Sequence, residues 1–142
     1  MIKDIRHIGI VVTDLETSLY FYHNLMGFQI TKQMEETGEY IDNVLSLQNV
    51  KVTTVKMNSP TGQMIELLKY HSHPVEQKIQ EIFGIGISHV AFTVDNLDME
   101  YERFVNNGIQ FNSVPQLSPD GYAKVVFCKA PEGTLIELVE VL

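Results

Sequence analysis

The chain repeats itself, and that repeat limits what it can fold into more than any other feature. The segment His7-Ile-Gly-Ile-Val-Val-Thr-Asp-Leu15 returns 82 positions later as His89-Val-Ala-Phe-Thr-Val-Asp-Asn-Leu97. Ser59-Pro-Thr-Gly-Gln-Met-Ile-Glu-Leu67 returns 71 positions later as Ala130-Pro-Glu-Gly-Thr-Leu-Ile-Glu-Leu138, with Pro, Gly, Ile, Glu and Leu identical. The change of offset leaves 11 extra residues in the first half, assigned to the stretch 38–47 and read as a loop with a short helix. An excursion of that kind on a rigid scaffold is either a solvated loop or a specificity element.

Periodicity supplies the elements of each half. Ile8, Ile10 and Val12 alternate with His7, Gly9 and Val11, as Val90, Phe92 and Val94 do with His89, Ala91 and Thr93. Both runs read as strands that are apolar on one face. Asp14, and Asp95 or Asn96, are N-cap residues for helices whose apolar positions are Leu15, Leu19 and Tyr22, and Leu97, Tyr101, Phe104 and Val105. Gly27 and Gly108 stop those helices. Strands are expected over 28–34, 51–58 and 63–70 in the first half and over 109–114, 124–129 and 134–141 in the second. Each half is therefore βαβββ, and the fold class is α+β. The expected organisation is one domain, 1–142, with module one at 1–70 and module two at 87–142. Between them a connecting helix is expected over 71–86, from Pro74, the spacing of Val75, Ile79, Ile82 and Phe83, and the stop at Gly84 and Gly86.

Charge narrows the partners. Ten Lys+Arg against 18 Asp+Glu give a net charge of −8, too little basic density to neutralise a phosphate backbone or an anionic membrane surface. The first seven residues lack the apolar core of a signal peptide and no run approaches a spanning helix, so a cytoplasmic protein is expected. The single cysteine, Cys128, lies in a strand-like run with no activating signature and reads as a small buried thiol.

Alternation also sorts the polar residues. If Ile8, Ile10 and Val12 face the helices, His7 faces the other side of the sheet, and His89 does the same. Glu66 shares a face with Met64, Leu68 and Tyr70, and Glu137 with Leu135, Val139 and Val141. A carboxylate inside Met-Ile-Glu-Leu-Leu or Leu-Ile-Glu-Leu-Val is costly unless paired or bound to a cation. Its duplication in step with a duplicated histidine points to one divalent metal held by His7, Glu66, His89 and Glu137. Two imidazoles and two carboxylates suit Ni, Co, Zn, Mn or Fe(II). The alternative is that each His–Glu pair is a buried ion pair bracing its sheet. His71 and His73 read as loop residues, and His23 and the Glu35-Glu36 pair as surface residues.

These residues resemble the vicinal oxygen chelate superfamily, which includes glyoxalase I, methylmalonyl-CoA epimerase, extradiol dioxygenases, and fosfomycin and bleomycin resistance proteins. The run from His7 to Leu15, with Phe21-Tyr22 and Leu25-Met-Gly-Phe28, is similar to the family's opening signature, and the run from Ala130 to Leu138 to its closing one. The resemblance implies tandem βαβββ modules forming a cupped, partly closed mixed sheet with helices outside, and metal ligands at His7, Glu66, His89 and Glu137. That set is similar to the set of bacterial glyoxalase I. Methylmalonyl-CoA epimerase typically has Gln in place of Glu66. Fosfomycin-resistance enzymes and extradiol dioxygenases normally use three ligands.

The implied activity is a metal-dependent lyase or isomerase that moves a proton next to a carbonyl, with Glu137 first and Glu66 second as the base. Alternatives are an epimerase, an extradiol-type dioxygenase, or a non-catalytic ligand-binding or resistance protein. Bacterial glyoxalase I usually places an arginine and an asparagine, which help hold glutathione, where this chain has Val11 and Tyr70. The expected pocket face of Val11, Met64, Leu68, Tyr70, Ala91, Thr93, Leu135 and Val139 is mostly apolar, with no arginine placed to meet a carboxylate. A small or hydrophobic oxygenated substrate is expected. A homodimer is expected as well, because relatives of this length commonly complete the cup with a second subunit.

Overall fold

The computed structural model describes residues 1–142 and divides into two compact units, Met1–Glu76 and Gln77–Leu142. In the first unit the order is β1 (Ile8–Val11), α1 (Leu15–Leu19), β2 (Gln29–Thr37), α2 (Glu39–Leu45), β3 (Lys51–Asn58) and β4 (Met64–Tyr70). These strands form a mixed sheet ordered β1-β4-β3-β2, in which only β1 and β4 run parallel. Asp14 caps α1 by accepting the Thr17 amide hydrogen at 3.1 Å. The helix then widens over Tyr20–Leu25 into a π turn, closed by the Met26 N–H donating to the Phe21 carbonyl at 2.9 Å. Phe21, Tyr22 and Leu25 are all buried along this turn. Gly27, at φ +82°, ends it in the left-handed region that favours glycine. The extra residues of the first half do hold a short helix, α2, between β2 and β3.

The second unit contains β5 (Val90–Thr93), α3 (Leu97–Asn106), β6 (Gln116–Leu117), β7 (Ala123–Lys129) and β8 (Leu135–Val141), with sheet order β5-β8-β7-β6. Of the two candidate caps, Asn96 is the one that caps α3, accepting from the Met99 amide at 2.9 Å. The Leu97 amide donates to the Glu140 carboxylate at 2.8 Å, which ties the start of α3 to β8. Val90, Leu97, Phe104, Val126, Cys128, Ile136 and Leu138 are buried, whereas Val105 faces solvent. Each unit thus carries a four-stranded mixed sheet with its helices, and the chain is α+β with two tandem modules.

Two expectations are corrected. The strand expected over 109–114 reduces to one bridge between Phe111 and Cys128, and pairing resumes only at Gln116–Leu117. Pro115 interrupts it because proline has no N–H to give a ladder. The connecting helix expected over 71–86 does not form. Its periodic residues Ile79, Ile82 and Phe83 are exposed, so no buried face offsets the cost of nucleating so short a helix. Side chains shape that segment instead: Gln80 donates to the Ile87 carbonyl and, at 3.2 Å, to that of Ser88. No helix is long and apolar enough to cross a membrane.

Candidate metal centre

Register brings each histidine to its glutamate. Gly9 pairs with Glu66 across the parallel β1–β4 ladder, and His7 enters β1 two residues earlier on the same face. His7 Nε2 lies 2.9 Å from Glu66 Oε2. In the second unit Ala91 pairs with Glu137, and His89 Nε2 lies 3.1 Å from Glu137 Oε2. Glu66 is 9% exposed as a residue, and Glu137 is more open, its side chain 20% exposed against 12% for Glu66. Each module thus places its histidine beside its glutamate. No group of three or more His, Cys, Asp or Glu side chains suited to a metal is present, and each module brings together one histidine and one glutamate.

The second pair has an outer partner that fixes its chemistry. Ser88 Oγ donates to the Ile82 carbonyl at 3.0 Å and lies 2.9 Å from His89 Nδ1. A hydroxyl has a single hydrogen, so Ser88 accepts from Nδ1–H, and the neutral ring then carries its lone pair on Nε2. That lone pair faces a carboxylate oxygen. The contact is repulsive until a proton or a cation occupies the space between them. In the first unit His7 Nδ1 is buried and has no hydrogen-bond partner, so no such brace acts there. The His89 ring also meets Phe127 edge-on, with centroids 5.0 Å apart.

Of the expected pocket residues, Val11, Ala91 and Thr93 are exposed, Met64, Leu68, Tyr70 and Val139 are half-buried, and Leu135 is buried. The inserted helix has a definite place on this face. Ile41 and Leu45 of α2 pack with Val50, Val52, Leu68 and Tyr70, covering one end of the Glu66 face. The Asp42 carboxylate secures the return by accepting the amides of Asn49 and Val50, at 3.0 and 2.8 Å.

Three residues on the Glu66 face were missed in the sequence. Thr54, Lys56 and Asn58 alternate along β3 and stand opposite Leu68, Glu66 and Met64. The alternation of these polar residues with Val55 and Met57 was the available signal, and it has no polar counterpart at Val125 and Phe127 in the other half of the repeat.

The other candidates settle as follows. His71 Nε2 lies 2.8 Å from Thr53 Oγ1, and His73 Nδ1 lies 2.7 Å from Ser72 Oγ, both in the loop after β4. Glu35 pairs with Lys51 at the surface, at 3.2 Å. His23, expected at the surface, is half-buried, with Nδ1 2.6 Å from the Phe28 carbonyl, where it fastens the π turn to the start of β2. Cys128 is fully buried, and burial pushes its thiol up to about 12.

A family model described as Glyoxalase/Bleomycin resistance protein/Dioxygenase superfamily matches residues 4–138. The uncharacterized protein YwkD of Bacillus subtilis is 31% identical over 143 residues, covering 99% of this chain and 98% of its own length. The lactoylglutathione lyase of Salmonella typhimurium is 25% identical over 134 residues, covering 94% and 90%. Among solved structures, a glyoxalase family protein from Bacillus cereus aligns with a TM-score of 0.90 at 22% identity, covering 100% of this chain and 96% of that one. A fosfomycin resistance protein, FosX, from Listeria monocytogenes, solved with Mn(II), aligns with a TM-score of 0.70 at 16% identity, covering 100% and 95%.

Proposed function

Because the chain belongs to the Glyoxalase/Bleomycin resistance protein/Dioxygenase superfamily, we propose that His7, Glu66, His89 and Glu137 together hold one divalent cation and that the protein is a metal-dependent lyase or isomerase. The observation that carries this is the duplicated juxtaposition of imidazole and carboxylate, His7 Nε2 at 2.9 Å from Glu66 Oε2 and His89 Nε2 at 3.1 Å from Glu137 Oε2. The donor geometry fits a cation. Two donors at right angles around an ion with bonds of about 2.1 Å stand about 3.0 Å apart, and the two His–Glu separations are 2.9 and 3.1 Å. The donor chemistry fits too, since two carboxylates neutralise a 2+ charge and imidazole nitrogen favours Ni, Co, Zn, Mn or Fe(II). A bound cation supplies Lewis-acid polarisation of a substrate carbonyl oxygen.

The chain's own residues would do the rest. Glu137, the more open of the two carboxylates, takes the proton from the carbon beside the carbonyl, and Glu66 is the second choice. Half-buried Leu68 and Tyr70, covered by α2, limit substrate size. Val11 and Tyr70 stand where glutathione-holding groups would be needed, so the preferred substrate is a small carbonyl compound.

Elemental analysis tests the metal. Protein grown with Ni, Co, Zn and Mn supplied should contain about one ion per site, and His7→Ala and Glu137→Ala should lose it. Equally little metal in the wild type and both variants would leave only the two bracing ion pairs. The reaction is tested on metal-loaded protein with the hemithioacetal of methylglyoxal and glutathione, racemic methylmalonyl-CoA and a catechol side by side. The hemithioacetal should be turned over poorly, below a kcat/KM of roughly 10⁴ M⁻¹s⁻¹. Oxygen uptake with the catechol would make the protein a dioxygenase instead.

A further inference from the structure

The duplication provides an internal control for what the sheet itself requires. In module two the residue opposite Glu137 is Phe127, and the one opposite Val139 is Val125. Their counterparts in module one, at the offset of 71, are Lys56 opposite Glu66 and Thr54 opposite Leu68. The same ladder is therefore built with apolar residues in one copy and with a cation and a hydroxyl in the other, so the polar pair is not demanded by the fold.

Nor is it satisfied by the fold. Lys56 is half-buried and forms no ion pair with any carboxylate of the chain. Directly opposite it on the outer strand stands Lys32, a like-charge arrangement that ordinarily costs stability. On either side along β3, Thr54 Oγ1 and Asn58 Oδ1 are buried and lack hydrogen-bond partners, and Thr54 is only 2% exposed. Buried polar atoms left unpaired are expensive, and two of them on either side of a lysine without an ion pair, on one face of one strand, signal a missing partner. They flank the position opposite Glu66, with cross-strand Cβ separations of roughly 5 Å.

We propose that Lys56, flanked by Thr54 and Asn58, anchors an anionic oxygen group of the substrate, so that the small carbonyl compound taken by this protein carries a carboxylate. The inference rests on the reading of Glu66 as part of the metal centre, and it names the substrate class for that site. The lysine charge supplies what the absence of a well-placed arginine denied. A carboxylate accepts from the ammonium and from the Thr54 hydroxyl, the donors this stretch leaves unused.

The test is calorimetric titration of the full-length, metal-loaded protein with pyruvate and with its uncharged counterpart 2,3-butanedione, at fixed ionic strength. Lys56→Met should weaken pyruvate binding by about tenfold or more and leave 2,3-butanedione unchanged, while Lys56→Arg should retain most of the affinity. Lys32→Met, which removes the same charge from the exposed edge strand, should have little effect. Thr54→Val, the residue type of module two, is the variant least able to disturb folding and should weaken pyruvate more than 2,3-butanedione. Equal pyruvate affinity in wild type and Lys56→Met, or equal losses with Lys32→Met, overturns the inference, as does failure of wild type to bind pyruvate at millimolar concentration. Metal content measured on the same samples separates the two readings. Normal metal with Lys56-independent pyruvate binding sinks only the lysine anchor, whereas pyruvate binding that depends on Lys56 in protein unable to hold metal supports the anchor and sinks the metal centre.

Discussion

Ser88 Oγ lies 2.9 Å from His89 Nδ1 while giving its only hydrogen to the Ile82 carbonyl, so the serine fixes which nitrogen of the imidazole carries the proton. Outer partners of this kind typically change metal affinity by about 10–100-fold. Ser88→Ala should weaken metal binding by that factor, and Ser88→Thr should restore it. In metal-free protein the ¹⁵N shifts of His89 should report a proton held on Nδ1 in wild type and a changed Nδ1 environment in Ser88→Ala. Unchanged shifts would show that the hydroxyl does not set the tautomer.

The inserted helix should behave as a wall rather than a decoration. Ile41 is 7% exposed and packs with Val50, Val52, Leu45, Leu68 and Tyr70, so Ile41→Ala should cost about 2–4 kcal/mol in urea unfolding. Because those contacts include Leu68 and Tyr70, the variant should also accept bulkier carbonyl compounds than wild type. A stability loss with no change in substrate range would confine α2 to a structural role.

Burial raises the Cys128 thiol to about 12, so at pH 8 almost none of it is thiolate. Its reaction with a disulfide reagent should be negligible in native protein and complete once urea unfolds the chain. The linkage follows from the raised folded value. The thiol's contribution to stability is fully present below its ordinary unfolded value near 9 and is lost as pH rises from there toward 12. A free-thiol assay that titrates Cys128 in native protein at pH 8 would contradict its burial.

A homodimer is expected at micromolar concentration. Each module brings only two candidate donors together, and Ile79, Phe83, Ile85 and Ile87 are exposed to solvent in the single chain. Light scattering should report twice the 16.2 kDa chain mass. Monomer alone, with full metal content, would exclude a site shared between subunits.

Much of this was legible in the chain itself. The two repeated signatures determined the duplicated modules, because strand alternation has a period of two and put each histidine on the face of its glutamate. Caps at Asp14 and Asn96 and stops at Gly27 and Gly108 were readable for a similar reason, since they are local hydrogen-bonding and backbone requirements. Tertiary structure alone decided the rest. The 71–86 pattern had helical spacing, but a helix needs a surface to bury its apolar side against, and sequence does not say whether one is there. The π turn at Tyr20–Leu25, the Ser88 brace on His89 and the placement of Lys56 opposite Glu66 each depend on which distant segments become neighbours, and that is set by packing and ladder register rather than by any periodicity in the chain.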